Sequence, residues 1–168
     1  MSARKCYRRL MHASSAKALP QPTDPALDAA RDLCDRNGAQ LTPLRRSVLA
    51  LVLESAGPAT AYQLLDRLKL TRPGAAPPTI YRALDFLVEQ KLIHRIERLN
   101  AFIPCTGATH AHPHAAQFLI CTSCGAVAEI EDASVTKALA HAAAAQGFRP
   151  AQATVELNGT CAVCTPTA

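Results

Sequence analysis

Residues 79–103 read TIYRALDFLVEQKLIHRIERLNAFI, and this stretch decides the fold of the front half of the chain. From Thr79 to Gln90 the apolar side chains recur at the spacing of an amphipathic helix. Two short apolar runs follow, Leu92 to Ile96 and Ala101 to Ile103, with a polar turn between them. Such a pair of runs predicts a small hairpin. The stretch therefore predicts a helix that leads directly into a β-hairpin.

Three more helices are predicted upstream of this one. Thr-Asp-Pro at 23–25 and Thr-Pro at 42–43 each place a proline next to a capping residue, which is a helix start signal. Thr60, with Gln63 three residues later, forms a capping box. The segment RPGAAPP at 72–78 predicts a turn before the fourth helix. Four helices and a hairpin in this order predict a winged helix-turn-helix.

The fourth helix has an outward-facing arginine in its first turns. At 100° per residue, Arg82 lies about 200° around the helix from the apolar Ile80, so it points away from the core. An exposed arginine at this point of a recognition helix is placed to meet base edges in DNA. A solvated helix face explains the same periodicity. Tyr62, early in the third helix, fits either the core or a DNA contact.

Charge is unevenly distributed along the 168 residues. Residues 1–103 carry 16 Lys and Arg against 9 Asp and Glu, whereas residues 104–168 carry 2 against 4. A basic front half is typical of a part that binds a polyanion. The first 22 residues contain five basic and no acidic side chains, and they lack the apolar stretch of a secretory signal. They predict a flexible basic arm, with a transit peptide as the alternative. No apolar run approaches the roughly 18 residues of a membrane span.

The back half contains two CxxC pairs, Cys121 with Cys124 and Cys161 with Cys164. Two such pairs are the usual way to build a tetrahedral zinc site of four thiolates. Without a secretory signal the thiols are expected to stay reduced in the cytoplasm, which favours metal binding over disulfides. Seven cysteines also cannot all pair. Cys105 and three loop histidines lie just upstream and suggest a second metal position of a different kind.

Strands are predicted at 118–121, 126–130 and 153–157, and an Ala-rich helix at 132–146. A ββαβ unit of this size is too small to bury both of its faces. We therefore expect it to pair with a second copy of itself.

Several motifs together resemble the ferric uptake regulator family of bacterial metal-sensing repressors. They are LTPLR (41–45), PPTIYRALDFL (77–87), LIHRIE (92–97), ICTSCGAVAEIE (120–131) and GTCAVC (159–164). The resemblance covers residues 23–165, and within the family it is greatest to the zinc uptake regulators.

The resemblance implies an α+β protein with an N-terminal winged helix-turn-helix and a small C-terminal α/β dimerisation domain. Its parts are expected to be a basic arm at 1–22, a DNA-binding domain at 23–103, a hinge and metal-ligand loop at 104–116, and a dimerisation domain at 117–168. Members of the family bind operator DNA as metal-loaded dimers. The implied function is a cytoplasmic, zinc-responsive repressor of zinc-uptake genes. It is expected to be a homodimer without enzymatic activity, membrane partner or small-molecule substrate.

The resemblance also implies two zinc ions per protomer. The structural zinc falls on the four CxxC cysteines. The regulatory zinc falls on His94, Cys105, His114 and Glu129. The loop before His114 is one residue longer than in the family, so His110 or His112 could replace it. Two nitrogens, one sulfur and one oxygen suit tetrahedral Zn²⁺ better than Fe²⁺.

A third family site uses a histidine just before the glycine that ends the dimerisation helix. That position is Gln146 here, so no third site of that kind is expected.

On the DNA-binding side, Arg82 is expected to contact bases with help from Tyr62 and Tyr81. Arg45, Arg46 and Lys91 are expected to contact phosphates.

Each regulatory ligand has a simpler explanation when it is taken alone. His94 alternates with Leu92 and Ile96, as a half-buried strand histidine would, Glu129 fits a solvated strand position, and Cys105 fits a free hinge thiol. Another metal sensor of the same family, such as an iron sensor, stays open. Two other classes are a zinc hydrolase built on the His-rich loop and a thiol–disulfide enzyme built on CxxC.

Overall fold

The computed structural model describes residues 24–106, 116–151 and 153–165. These residues fall into two compact units, one formed by residues 24–106 and the other by the described residues from 116 onward. The basic arm, the cap at Thr23 and the loop residues His110, His112 and His114 lie outside the described residues.

The first unit consists of four helices and a three-stranded sheet, and it confirms the predicted order of helices and hairpin. The helices are α1 (Asp24–Arg36), α2 (Pro43–Leu53), α3 (Ala61–Lys69) and α4 (Pro77–Glu89). The strands are β1 (Ala59–Thr60), β2 (Ile93–Ile96) and β3 (Ala101–Pro104). β3 lies in the centre and pairs antiparallel with both neighbours. The hairpin β2–β3 is the wing, and β1 is an added strand that the sequence did not predict.

Local capping explains where two of these helices begin. The Oγ1 of Thr42 accepts a hydrogen bond from the backbone N–H of Arg45. The capping box at Thr60 is complete, because Gln63 N–H donates to Thr60 Oγ1 at 3.3 Å and Thr60 N–H donates to Gln63 Oε1 at 2.8 Å. Each bond satisfies a backbone donor that the first helical turn leaves without a partner.

The recognition helix α4 begins two residues earlier than predicted. Pro77 and Pro78 were expected to belong to a turn, and for these two residues that prediction was wrong. They occupy the first helical positions, where a backbone N–H has no helical acceptor and the fixed φ of proline already suits a helix. The N-cap, Ala76, provides no side-chain hydrogen bond. The two prolines therefore define the start of α4.

The core of the first unit lies between the helices and the sheet. Val48, Leu64 and Leu84, from three different helices, are completely buried there. Ile80 is buried while Arg82 is exposed, as the periodicity of α4 predicts. The core thus fixes which face of α4 looks outward.

The second unit consists of three strands and one helix: β4 (Ala116–Cys121), β5 (Val127–Ile130), α5 (Ala133–Ala145) and β6 (Thr154–Gly159). β4 lies in the centre, antiparallel to β5 and parallel to β6, and α5 forms the crossover. α5 has no buried residue, and Leu119, Leu139 and Leu157 are 36–52% exposed. As expected, this unit does not cover its own apolar surface.

One buried polar side chain ties α5 to the sheet. Gln117 on β4 is 1% exposed, and its Nε2 donates to the carbonyl of Asp132 at 2.9 Å and to Thr136 Oγ1 at 3.3 Å. The carbonyl of Asp132 lies at the N-cap of α5. The start of the helix is therefore fixed to the centre of the sheet by hydrogen bonds, although α5 buries no side chain there.

None of the helices in the described part of the chain is long and apolar enough to cross a membrane.

Candidate metal centre and nucleic-acid interface

The four CxxC cysteines meet at one end of the parallel strands β4 and β6. Cys121 is the last residue of β4, and Cys161 follows β6 by two residues. Because the two strands run parallel, with Cys121 opposite Gly159, both turns leave the sheet at the same end. Gly125 adopts a φ of +70°, a left-handed conformation that glycine takes without steric cost. Strand pairing thus brings together two half-sites that are distant in sequence.

The spacing of the four sulfurs fits a tetrahedral metal ion. All four Sγ atoms lie within 4.8 Å of one another, and those of Cys124 and Cys161 are 4.0 Å apart. A tetrahedral zinc with Zn–S bonds of about 2.3 Å places its sulfurs about 3.8 Å from one another. Cys121 and Cys161 are buried and the other two are half-buried. The site therefore needs only small adjustments to hold an ion.

Backbone hydrogen bonds prepare one of these thiols for metal binding. Burial raises the pKa of Cys121, but backbone N–H groups of Cys161, Cys124 and Ser123 outweigh that effect and lower the pKa to about 6. The N–H of Cys161 lies 3.4 Å from Cys121 Sγ. The lowered pKa favours the thiolate, which is the form that binds metals.

Two of the predicted regulatory ligands lie together in the first unit. His94 on β2 is half-buried and pairs with Ile103 of β3. Cys105 follows β3, is 8% exposed, and donates its N–H to the carbonyl of Leu92 at 3.1 Å. A ring nitrogen of His94 and the Sγ of Cys105 lie within 4.8 Å of each other. This pair offers one nitrogen and one sulfur donor at the end of the wing.

Glu129 belongs to the second unit, on β5 opposite Phe118 of β4. It is half-buried. The fourth predicted ligand, His114, and its substitutes His110 and His112 are outside the described residues. Gln146, predicted not to be a ligand, is the C-cap of α5. The ligand roles of these residues remain predictions.

The residues predicted to contact bases lie on the outer side of two neighbouring helices. Arg82 is exposed near the start of α4, next to Tyr81, which is 38% exposed. Tyr62 is the second residue of α3 and is 65% exposed. Since a tyrosine in a core would be covered, its exposure favours the contact alternative over the core alternative.

The predicted phosphate-contacting residues differ in their surroundings. Lys91 is exposed just beyond α4. Arg46 forms an ion pair with Asp28, at 3.1 Å. The guanidinium of Arg45 lies 3.5 Å from the ring centroid of Phe86 and donates to the carbonyl of Gln40 at 2.7 Å. The sequence does not predict the pairing of Arg46 with Asp28 or of Arg45 with Phe86, because no local pattern connects residues so far apart.

A winged helix followed by an α/β unit with a four-thiol centre is typical of metal-dependent regulators of the winged-helix class. The model of the ferric uptake regulator family matches residues 36–158, and the chain belongs to this family.

Several relatives that are about 40% identical to the chain are zinc uptake regulators. The zinc uptake regulation protein of Escherichia coli K12 is 39% identical over 143 residues, which cover 84% of this chain and 82% of the relative. A solved zinc uptake regulator in complex with zinc and DNA superposes with a TM-score of 0.78 at 38% identity, covering 82% of this chain and 91% of that one. The crystal structure of holo XcZur gives a TM-score of 0.73 at 40% identity, covering 84% and 98%.

Proposed function

We propose that this chain is a zinc-responsive transcriptional repressor that binds operator DNA as a zinc-loaded homodimer and controls zinc-uptake genes. The observation that carries this function is the likeness of most of the chain to a zinc uptake regulator complexed with zinc and DNA. The exposed Arg82 on α4 and the four-thiol centre supply the two chemistries that this function needs.

The four CxxC cysteines are proposed to hold a structural zinc. The ion joins the ends of β4 and β6 in a unit whose helix contributes no buried side chain. Four thiolates so close together repel one another without a cation, so loss of the metal destabilises the unit. All four ligands come from the protein, which leaves no open position for a catalytic water.

His94, Cys105, His114 and Glu129 are proposed to hold a second, regulatory zinc, as the family resemblance implies. The closeness of His94 and Cys105 supports half of this ligand set. Coordination shared by residues of both units restricts the orientations that the units can adopt. In a dimer, restricted orientation matches two recognition helices to half-sites about one DNA turn apart. Zinc then raises the fraction of dimers that fit the operator.

DNA recognition is proposed to centre on Arg82. An arginine can grip guanine O6 and N7 with two hydrogen bonds, which discriminate against other bases by about 1–3 kcal/mol. Tyr81 and Tyr62 are proposed to assist it, while Lys91 and Arg46 supply positive charge for phosphates. The exposed Leu119 and Leu157, together with the uncovered α5, support pairing with a second copy. A cytoplasmic location, where thiols remain reduced, suits the cysteine chemistry.

The decisive experiment is a gel shift against promoters of zinc-transporter genes from the same genome, with protein stripped of its regulatory metal. Added zinc is expected to shift these promoters at much lower protein concentrations than unrelated DNA of equal length. Iron(II), added anaerobically, serves as the alternative effector. A response to iron and not to zinc would replace this function by iron sensing, and no metal-dependent shift on any promoter would overturn it.

A further inference from the structure

Arg82 and Phe86 lie on nearly the same face of α4, yet only one of them is exposed. They are four residues apart, which places them about 40° apart around a helix and one turn from each other. Arg82 faces solvent, whereas Phe86 is only 8% exposed. The guanidinium of Arg45, 3.5 Å from the ring centroid, is one of the groups that cover Phe86.

We propose that Arg45 is a positioning residue for operator recognition, which acts by holding the recognition helix through the ring of Phe86. This role presupposes the operator binding proposed above. A cation over an aromatic face is attracted by the negative face of the ring, and the attraction increases when the pair is partly desolvated. A contact that holds Phe86 restrains α4 one turn away from Arg82.

Arg45 is itself well anchored for this task. Its Nη1 donates to the carbonyl of Gln40 at 2.7 Å, and its backbone N–H donates to the cap residue Thr42. The backbone of Arg45 is thus held by Thr42, and its guanidinium is held by the carbonyl of Gln40 and the ring of Phe86. Moving the guanidinium to a DNA phosphate would disrupt the bond to Gln40 and the stacking on the ring. The rigid, planar group is therefore better suited to orienting α4 than to following the DNA backbone.

A second contact joins the C-cap of α4 to the turn between α1 and α2. Gln90 follows Phe86 by four residues, and its Oε1 accepts a hydrogen bond from Asn37 Nδ2 at 3.1 Å. Asn37 lies in the turn between α1 and α2. Contacts from Asn37 and Arg45 therefore hold α4 at its C-cap and at Phe86. The tilt and rotation of Arg82 towards a groove depend on these contacts as well as on the apolar core.

The test is a double-mutant cycle on Arg45 and Phe86 in the full-length, zinc-loaded protein. Arg45→Met, Phe86→Leu and the double variant are compared with wild type on operator and random DNA, at several salt concentrations. Each single variant is expected to lower the operator-to-random affinity ratio roughly three- to tenfold. The salt dependence should not change, because no phosphate contact is lost. The double variant should lose no more than a single variant, since both changes remove one interaction.

Two conservative variants separate positioning from charge and from stability. Phe86→Tyr keeps an aromatic face and is expected to keep the affinity ratio. Arg45→Lys keeps the charge but loses the planar fork, so the ratio should still fall while the salt dependence stays. It also preserves Phe86, so it tests the role even if Phe86→Leu does not fold.

A phosphate contact would give a different outcome. Arg45→Met would then weaken operator and random DNA equally and reduce the salt slope by about one, and lysine would restore binding. That result, additive losses in the cycle, or a lower melting temperature with an unchanged ratio would each overturn the positioning role. A wild type without operator preference would instead refute the proposed function, and this role with it.

Discussion

The backbone N–H of Cys161 lies 3.4 Å from the Sγ of Cys121 and donates to it. The second CxxC turn therefore stabilises a thiolate of the first turn directly. Thr122 strengthens the connection, since its N–H and its hydroxyl donate to the carbonyl of Gly159 at 2.8 and 3.2 Å. The end of β6 is thus joined to the turn after β4 by hydrogen bonds as well as by the proposed ion.

Replacing Cys121 by serine is expected to remove the structural zinc. Purified Cys121→Ser should contain about one zinc per protomer less than wild type, because a neutral hydroxyl is a poor substitute for a buried thiolate. The second unit should then unfold at a lower temperature and the dimer should dissociate. Metal analysis, thermal unfolding and sedimentation measure the three effects.

The matched control is Cys6→Ser, which changes a cysteine of the N-terminal arm and should leave zinc content and dimer unchanged. A Cys121→Ser protein that remained dimeric, stable and active on DNA would refute the structural role of the four-thiol centre.

Replacing Cys105 by serine is expected to abolish the zinc response without unfolding the protein. The variant should remain a dimer with its structural zinc, while the increase in operator affinity on adding zinc, typically about 5- to 150-fold for such coupling, disappears. In wild type, operator DNA must tighten zinc binding by the same factor that zinc tightens DNA binding. Calorimetric zinc titrations with and without operator measure this reciprocity. If Cys105→Ser still responds to zinc, the switch lies elsewhere, and His110 and His112 become the residues to exchange.

Arg82→Ala is expected to lose operator preference more than general DNA affinity. Loss of a two-bond contact to guanine should lower operator affinity roughly 5- to 150-fold, with a much smaller effect on random DNA. Competitive binding assays measure the ratio. Lys137→Ala, which removes a positive charge from α5 in the second unit, is the control for net charge. Equal losses on both DNAs would mean that Arg82 contacts phosphate only.

Lys91→Gly is expected to stabilise the protein while weakening its grip on DNA. Lys91 follows the C-cap of α4 and has a φ of 57°. Its N–H donates to the carbonyl of Val88, and the N–H of Leu92 donates to the carbonyl of Leu87, both at 2.9 Å. This pair of hydrogen bonds is a helix-ending motif that favours glycine at position 91. Glycine should raise the free energy of unfolding by about 1 kcal/mol, since it relieves the left-handed strain. If Lys91 contacts a phosphate, the salt slope of DNA binding falls by about one.

Gly38 provides the inverse control for this prediction. It follows α1 with a φ of +68°, and a Cβ atom there would meet no other atom within 4 Å. Gly38→Lys should therefore destabilise the protein through backbone strain alone. An unchanged free energy of unfolding in both variants would show that the left-handed conformation has no cost at these positions.

Stability at low pH should depend on the cap of α5. The side-chain O–H and the backbone N–H of Ser134 donate to the carboxylate of Asp132 and lower its pKa. A lowered pKa in the folded state means that the stabilisation is complete above the ordinary pKa of about 3.9 and is lost as the pH falls through the folded value. The melting temperature of wild type relative to Asp132→Asn should therefore stay constant above about pH 5 and fall only as the pH drops below about 4. Protonation of the zinc-binding cysteines at low pH should affect both proteins equally. A difference in melting temperature that stayed constant with pH would therefore exclude this role of the cap.

Features that depend on neighbouring residues were predictable from the sequence. The capping box of Thr60 and Gln63 spans four residues, and each CxxC turn spans four, so each is visible as a short motif. The outward direction of Arg82 follows from the regular turn of one helix. The winged helix and the thiol centre could therefore be predicted from the sequence.

Features that depend on distant residues were not. The stacking of Arg45 on Phe86 joins residues of two helices that do not share a sequence motif. The short strand β1 forms by pairing with β3, which is distant in sequence. A strand of two residues is too short to show a periodic pattern. The helical prolines of α4 were missed because proline signals a turn as strongly as it signals a first helical turn.

The parallel pairing of β4 with β6 has a consequence for how tightly an ion is kept. Cys124 and Cys161 are 37 residues apart, so in an open chain each CxxC turn is an independent two-thiol chelator. Loop closure opposes their meeting, and the cost grows only slowly with the length between them. Pairing of the strands raises the effective concentration of one thiol pair at the other. The rate of zinc transfer from the centre to a strong chelator should therefore depend on how often the pairing of β4 with β6 opens. Mutations in β6 that do not contact a sulfur should change that rate.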